Sequence, residues 1–134
     1  MIADQFSFIE NARLAAMAHY PGVTKLPQAT LYPELLQRFG IAMDKPTKLL
    51  SGGQRQILAI VMALQKKCSI LLLDEPTAAL DETNAELVMH FLQDLIRTTG
   101  LTVIMICHDS DLIRIFNGVV HTMSSDLHGV RRIA

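Results

Sequence analysis

The sequence predicts an α/β fold in which parallel strands are flanked by helices, and three stretches of the chain carry this prediction. The apolar run Ile70–Leu73 is short enough for a strand, and we expect it to be buried on both faces. A second apolar strand is predicted at Thr102–Cys107, and an amphipathic helix from about Glu82 to Thr99 separates the two. A strand, a helix and a parallel strand in this order form one βαβ unit.

Two helices are predicted before this unit. The first begins near Gln5 and ends at the Pro-Gly pair that follows Tyr20. The second covers Tyr32–Phe39, with Pro33 near its first turn and Gly40 as its C-terminal stop. A polar connector, Ile41–Leu49, follows the second helix and leads into the next one.

After the βαβ unit the pattern is weaker. A short helix is predicted at Asp111–Phe116. Two loosely alternating stretches, Val119–Met123 and Val130–Ile133, are predicted to pair as a hairpin across the loop Ser124–Gly129. The α/β fold class therefore depends on the βαβ unit and not on these last strands.

A Ser-Gly-Gly turn opens another predicted helix, Gln54–Leu64, with Ser51 as its N-cap. A helix N-terminus offers unpaired N–H groups and about half a positive charge, so it favours an anion. Gly52 and Gly53 lack side chains, and phosphate oxygens can therefore approach the backbone there. A Ser-Gly-Gly turn alone is usually only a loop. An anion site is expected here only because of the motifs that follow the turn in the sequence.

Polar side chains follow both predicted strands of the βαβ unit. Asp74 and Glu75 come directly after the first strand, and His108 comes after the second. Ligands in such sheets bind outside the carboxyl ends of the strands, so we expect these three residues at one edge. The alternatives are an acidic cap before Pro76 and a histidine with a purely structural role.

The stretch from Leu50 to Asp81, LSGGQRQILAIVMALQKKCSILLLDEPTAALD, resembles the nucleotide-binding domain of ABC-type ATPases. The signature loop corresponds to Leu50–Gln56, the Walker B strand to Ile70–Glu75 and the D-loop to Ala78–Asp81. The three motifs occur in the order and at the spacing of that family.

The resemblance implies a partial P-loop NTPase-like fold, with a helical subdomain beside the parallel strands. Residues 1–49 would belong to the helical subdomain, which contacts the membrane partner in this family. Residues 50–134 would carry the signature helix and the Walker B and H-loop part of the ATPase core.

The resemblance also implies ligands for the glycine-opened helix. In the family, this loop clamps the γ-phosphate of a nucleotide that the opposing subunit holds. Ser51, Gly52, Gly53 and Gln54 are therefore candidate nucleotide-binding residues. Asp81 matches the D-loop aspartate that links two active sites across a dimer, although it could equally cap the following helix, where Thr83 and Glu86 also have capping-box spacing.

For the strand ends, the resemblance implies a catalytic role. Asp74 matches the aspartate that holds Mg²⁺, typically through water, and Mg²⁺ takes one or two carboxylates plus phosphate oxygens. Glu75 matches the catalytic glutamate that polarises the attacking water. His108 matches the switch histidine that contacts the γ-phosphate. ATP and Mg²⁺ are thus the implied ligands.

A phosphate-binding P-loop, G-x-x-x-x-G-K-S/T, does not occur in this sequence, because none of the seven glycines precedes a lysine. Phosphoryl transfer depends on positioning and charge stabilisation, so we do not expect this chain to hydrolyse ATP alone. Our hypothesis is that the chain is a fragment, or a truncated reading, of a longer ABC ATPase. The alternative is a non-hydrolytic interaction module that completes a partner ATPase in trans.

The resemblance implies two partners, a second ABC ATPase subunit and a transmembrane permease, and a cytoplasmic location at the inner face of the cell membrane. The formal net charge of −1, with both signs mixed, gives no reason to expect nucleic acid as a partner. A chromosome-maintenance or DNA-repair ATPase of the same superfamily would insert long coiled coils, and this sequence has no heptad tract. A translation-associated ABC protein without a membrane partner remains a further alternative.

Overall fold

The computed structural model describes residues 2–18, 20, 22, 25–66, 68–116, 118–125 and 131–133. Helices and strands alternate after an initial helical part. The elements are α1 (Phe8–Met17), α2 (Pro33–Arg38), α3 (Gly52–Leu64), β1 (Ile70–Asp74), α4 (Glu82–Thr99), β2 (Thr102–Ile106), α5 (Ser110–Phe116), β3 (Met123–Ser125) and β4 (Arg131–Ile133). Two short 3₁₀ turns, Gln28–Leu31 and Thr47–Leu49, precede α2 and α3.

Helix α1 begins at Phe8, so the predicted start near Gln5 is wrong by three residues. A capping box sets the beginning: Ser7 N–H donates to Glu10 Oε2 (2.8 Å) and Glu10 N–H donates to Ser7 Oγ (3.3 Å). The helix ends at Met17, and Pro21, the predicted stop, lies outside the described residues.

Helix α2 confirms the second predicted helix, with slightly narrower bounds. Pro33 is its first residue, where a missing N–H costs no hydrogen bond. Tyr32, at the N-cap, has a left-handed backbone with φ of 51°. Gly40 follows the helix with φ of 63°, as a C-terminal glycine does.

The βαβ unit is confirmed. β1 pairs parallel to β2, with Ile70 opposite Thr102 and Asp74 opposite Ile106. Helix α4 connects them over the predicted range and ends at Gly100, whose φ is 71°.

The prediction that β1 is buried on both faces is wrong. Leu71 is buried, whereas Leu72 is 71% exposed. On β2, Ile104 and Ile106 are also more than half exposed, at 56% and 53%. The reason is that the helices packed against the sheet, α3 and α4, meet only the face that carries Leu71, and no described residue buries the opposite face.

Buried side chains from α1 to α4 and β1 form one hydrophobic core. Its most completely buried members are Phe8, Leu36, Ile57, Leu58, Val61, Val88 and Leu92. The core thus joins the initial helices to the βαβ unit, and it holds the helix tip of α3 in a fixed relation to the sheet. The proposed boundary between residues 49 and 50 stays a prediction.

The predicted hairpin is only partly correct. β3 and β4 pair antiparallel, with Met123 opposite Ile133, but the first strand begins at Met123 and not at Val119. Val119 is 86% exposed, so its apolar side chain marks no buried strand face. Val130 and most of the predicted loop lie outside the described residues.

Candidate functional site

The carboxyl edge of the sheet ends in a sharp change of backbone direction. Glu75 follows the last residue of β1, and its N–H donates to Ile106 O at 3.0 Å. Its φ is +45°, in the left-handed region that non-glycine residues rarely adopt. A backbone of this kind costs free energy, and it turns the chain out of the strand at the residue to which the family resemblance implies a catalytic role.

The structure brings Glu75 and His108 together. His108 Nε2 lies 2.8 Å from Glu75 Oε1, which is hydrogen-bonding distance. The two side chains come from the ends of neighbouring parallel strands, as the sheet-edge argument predicts. The His108 side chain is 80% exposed and that of Glu75 is 41% exposed, so the pair faces solvent and can be reached by a ligand.

Asp74 is the third residue of this edge. Its side chain is exposed and bonds to none of the described residues. Within the described part of the chain, no three His, Cys, Asp or Glu side chains are grouped to hold a metal ion. A free carboxylate still fits Mg²⁺, because this ion takes one or two carboxylates and completes its shell with waters and phosphate oxygens.

A cleft of about 440 Å³ lies beside the Glu75–His108 pair. The segment after β1 lines one part of it, including Thr77 and Leu80, and the loop after β2 lines another, including Cys107 and Asp109. Asp109 also fixes that loop, because its Oδ1 accepts from the N–H groups of Asp111 (2.9 Å) and Leu112. One wall of the cleft, the loop after β2, is therefore held in place by a helix cap.

The tip of α3 is capped as predicted, although the helix begins at Gly52 and not at Gln54. Ser51 Oγ accepts from Gln54 N–H (3.2 Å), and Gln54 Oε1 accepts from Ser51 N–H (3.0 Å). Gln54 Nε2 donates to Phe39 O at 2.9 Å. Both polar atoms of the Gln54 side chain are thus engaged within the chain, while Ser51 and Gly52 are exposed.

The two glycines of the tip differ in their surroundings. A Cβ added to Gly53 would lie 2.5 Å from Leu80 Cδ2 and 3.3 Å from Ala79 O. A Cβ on Gly52 would meet only Ala79 Cβ, at an ordinary 3.8 Å. The tip of α3 therefore packs against the segment that leads from Glu75 to Asp81, which brings the signature stretch next to the cleft.

Asp81 is the N-cap of α4. Its Oδ1 accepts from Asn84 N–H (3.0 Å) and its Oδ2 accepts from Asn84 Nδ2 (2.7 Å). These bonds, the backbone one first, lower the pKa of the Asp81 carboxyl from its ordinary value. The capping role that the sequence left open for Asp81 is confirmed, and the capping box of Thr83 with Glu86 is wrong.

A parallel sheet edge with two carboxylates and a histidine, next to a glycine-opened helix tip, is typical of α/β proteins that bind ligands at the carboxyl ends of their strands. Residues 8–78 match the family model described as ABC transporter. The chain belongs to the ABC transporter family, and the fold that the resemblance implied is confirmed.

Among curated relatives, the lipoprotein-releasing system ATP-binding protein LolD 1 of Rhodospirillum rubrum is 36% identical over 87% of this chain and 51% of its own length. The methionine import ATP-binding protein MetN of Thermobifida fusca is 34% identical over 85% of this chain and 37% of its own length. The chain thus spans about a third to a half of the length of these relatives.

Solved structures agree with this assignment. The ATP-binding cassette MJ0796, in a dimeric post-hydrolysis state bound to ADP and Pi, superposes with a TM-score of 0.70 and 30% identity. The similarity covers 85% of this chain and 51% of that one. No helix within the described residues is long and apolar enough to span a bilayer.

Proposed function

We propose that this chain supplies the signature loop, the Walker B strand and the switch histidine of an ABC-type ATPase, whose whole protein couples ATP binding and hydrolysis to membrane transport. The observation that carries the proposal is the contact of 2.8 Å between Glu75 and His108 at the end of a parallel strand pair. Asp74 lies at the same edge, and the tip of α3 packs against the segment that follows.

The chemistry assigned to the sheet edge is activation of water. Glu75 Oε1 is 2.8 Å from His108 Nε2, so its second oxygen stays available to accept a proton from an attacking water. His108 holds the carboxylate in place and can present its imidazole to a terminal phosphate. Asp74 would hold Mg²⁺, which when bound neutralises phosphate charge.

The tip of α3 is assigned to a nucleotide held by another subunit. Ser51 contributes a hydroxyl, and Gly52 leaves the backbone open beside it. The amide of Gln54 serves instead as the internal brace of the tip, through its bonds to Ser51 and Phe39. Of the four residues that the resemblance implicates, we therefore propose Ser51, Gly52 and Gly53 as direct contacts.

The proposed partners are a second ABC ATPase subunit and a transmembrane permease, with the chain at the inner face of the membrane. The names of the relatives support a transport system, since they include methionine import and lipoprotein release. These cargoes differ, so the proposal names the reaction class and no cargo.

The proposal is tested by complementation in trans. The partner is a complete ABC cassette whose own signature serine is replaced, so that its P-loop is intact and its homodimer is inactive. Addition of this chain should restore turnover, and Ser51→Arg should abolish the gain. Ser110→Arg, which changes an exposed serine at the start of α5, is the matched control and should have no effect.

A further variant separates the two roles of the chain. Glu75→Gln should leave the restored turnover intact, because the active nucleotide lies on the P-loop of the partner. Loss of turnover with Glu75→Gln but not with Ser51→Arg would contradict the assignment of the tip to the nucleotide of the partner.

The second candidate function is the non-hydrolytic module that completes a partner ATPase. The exposed Ser51–Gly52 tip favours it, since this surface needs no nucleotide of its own. The two candidates differ in one measurement. If the chain is part of an ATPase, its fusion to a P-loop half from a relative should hydrolyse ATP, and Glu75→Gln should inactivate the fusion. If the chain is a dedicated module, the fusion should be inactive both with Glu75 and with Glu75→Gln.

A further inference from the structure

The segment before α1 is bonded to the connector that leads into α3. Thr47 N–H donates to Phe6 O (2.8 Å) and Lys48 N–H donates to Asp4 O (3.1 Å). The Thr47 hydroxyl donates to Ala3 O at 3.0 Å, and Thr47 is completely buried. Residues 3–7 are thus hydrogen-bonded to residues 46–48, with one antiparallel bridge between Ser7 and Pro46, and we call this pair of segments the entry ribbon.

A buried asparagine fixes this ribbon to α1. Asn11 is 1% exposed, and its Oδ1 accepts from Ala3 N–H at 2.8 Å. Its Nδ2 donates to Ala3 O and to Ser7 O, both at 3.0 Å. Removal of one partner of such a buried network leaves polar atoms unsatisfied, so the segment is held firmly on this side.

One side chain joins the entry ribbon to the tip of α3. Arg55 Nη2 lies 2.6 Å from Asp4 Oδ1, and Arg55 Nη1 donates to Thr47 O at 3.2 Å. The guanidinium therefore contacts both segments of the entry ribbon at once, which its planar fork allows and a lysine ammonium does not. Arg55 lies in the first turn of α3, where its own N–H donates to Ser51 O at 2.9 Å.

We propose that Arg55 is a positioning residue for the α3 tip, and that Asp4 and Thr47 are its anchors on the entry ribbon. A displacement of residues 3–7 is then passed through Arg55 to Ser51 and Gly52. The other anchors of the tip, Phe39 and Leu80, do not involve this ribbon. The link itself stands on geometry, and only its consequence for nucleotide contact rests on the proposed function.

The test is hydrogen exchange of the purified chain, measured peptide by peptide. Asp4→Asn removes the charge of this side chain. The fold should persist, because Asp4 is exposed. Exchange in residues 51–56 and 3–7 should become roughly two- to fivefold faster, as expected for loss of a surface ion pair, while exchange in α4 stays unchanged. Arg55→Lys should have the same pattern, because one ammonium cannot contact both anchors.

Two comparisons separate positioning from general stabilisation. Asp111→Asn breaks a more exposed ion pair, that of Asp111 with Arg114, and should not change exchange in residues 51–56. The exchanged pair Asp4→Arg with Arg55→Asp should restore slow exchange there only in part, because an aspartate carboxylate cannot donate to Thr47 O. Unchanged exchange at the tip in Asp4→Asn, or an equal rise across α4, would overturn the proposal.

The trans-complementation assay distinguishes failure of this inference from failure of the proposed function. If the wild-type chain restores turnover, Asp4→Asn should reduce it and the exchanged pair should recover part of it. If the wild-type chain restores nothing, the proposed function fails while the exchange result still decides whether Arg55 positions the tip.

Discussion

At the scale of single residues, Glu75 combines a left-handed backbone conformation with a side chain that contacts His108 at the candidate site. A glutamate with φ of +45° is unfavourable, and the bond from its N–H to Ile106 O, together with the contact with His108, holds it there. Strain of this kind is common where a side chain must be aimed at a ligand. Asp74, one residue earlier, is exposed and bonds to none of the described residues, so the two adjacent carboxylates have different surroundings.

The two glycines of the α3 tip give a prediction at this scale. Gly53→Ala should destabilise the chain by ~1–3 kcal/mol, because the new methyl group meets Leu80 and the backbone of Ala79. Gly52→Ala should remain within about 1 kcal/mol of wild type, since alanine favours the helix and nothing is crowded. Urea unfolding measures both.

A double variant checks the cause of this difference. Gly53→Ala combined with Leu80→Ala should cost less than the sum of the single changes, because truncation of Leu80 removes the clash. Additive costs would show that the crowding at Gly53 does not come from Leu80.

At the scale of elements, the N-cap of α4 gives a prediction about pH. Hydrogen bonds from Asn84 lower the pKa of Asp81 below its ordinary value of 3.8. A carboxyl with a lowered folded pKa adds stability that is complete above the unfolded pKa and is lost as pH falls through the folded pKa. The stability difference between wild type and Asp81→Ala should therefore be constant near pH 7 and shrink below about pH 4.

The control for this prediction is Asp81→Asn, which keeps a capping side chain without a titrating group. The difference between Asp81→Asn and Asp81→Ala should not change with pH. A wild-type advantage over Asp81→Ala that persists unchanged at pH 2 would contradict the assigned cap.

The strand β1 gives a prediction from two adjacent leucines. Leu71→Ala should cost ~2–5 kcal/mol, because Leu71 is buried against α3 and α4. Leu72→Ala should cost less than about 1 kcal/mol, since Leu72 is 71% exposed. The measurement is unfolding at a dilution where the chain is monomeric, and equal costs would show that both faces of β1 are covered.

The elements show what sequence can and cannot predict. Local signals predicted the positions of Ser51 at a helix cap and of Asp74, Glu75 and His108 at strand ends. Caps and strand ends depend mainly on neighbouring residues, so a local pattern is enough to find them. The link between Arg55 and Asp4 joins residues 51 positions apart, and no local pattern marks it. The Asp109 cap of α5 has a local signal, an aspartate before a helix, and it could have been found.

The exposure of β1 was mispredicted for a different reason. An apolar run indicates that a strand is buried somewhere, but it does not say which chain covers each face. Leu72 and Ile104 belong to a face on which no described residue packs closely enough to bury them. Burial of this face therefore needs residues outside the described part of the chain, or a partner.

At the scale of the whole molecule, the exposed face of the β1–β2 sheet, which carries Leu72 and Ile104, predicts self-association. Contiguous aliphatic side chains on a two-stranded sheet favour contact with another copy, and scattering should show a mass that rises with concentration. Leu72→Lys with Ile104→Lys should shift the chain toward the monomer. Val119→Lys, at an exposed apolar residue outside this sheet, is the control.

A wild-type chain that scatters as a monomer at every concentration would contradict this prediction. So would an equal response to Val119→Lys, because the association would then not depend on the sheet face.

The proposal at this scale is that the chain serves two nucleotides: the α3 tip contacts one that a second subunit holds, and the Glu75–His108 edge faces another whose phosphate cradle lies on other residues. Isothermal titration of Mg·ATP tests it most directly, first into this chain alone and then into the chain mixed with the complementing cassette. We expect no micromolar binding by the chain alone and ATP-dependent association in the mixture. Micromolar binding of Mg·ATP by the chain alone would contradict it.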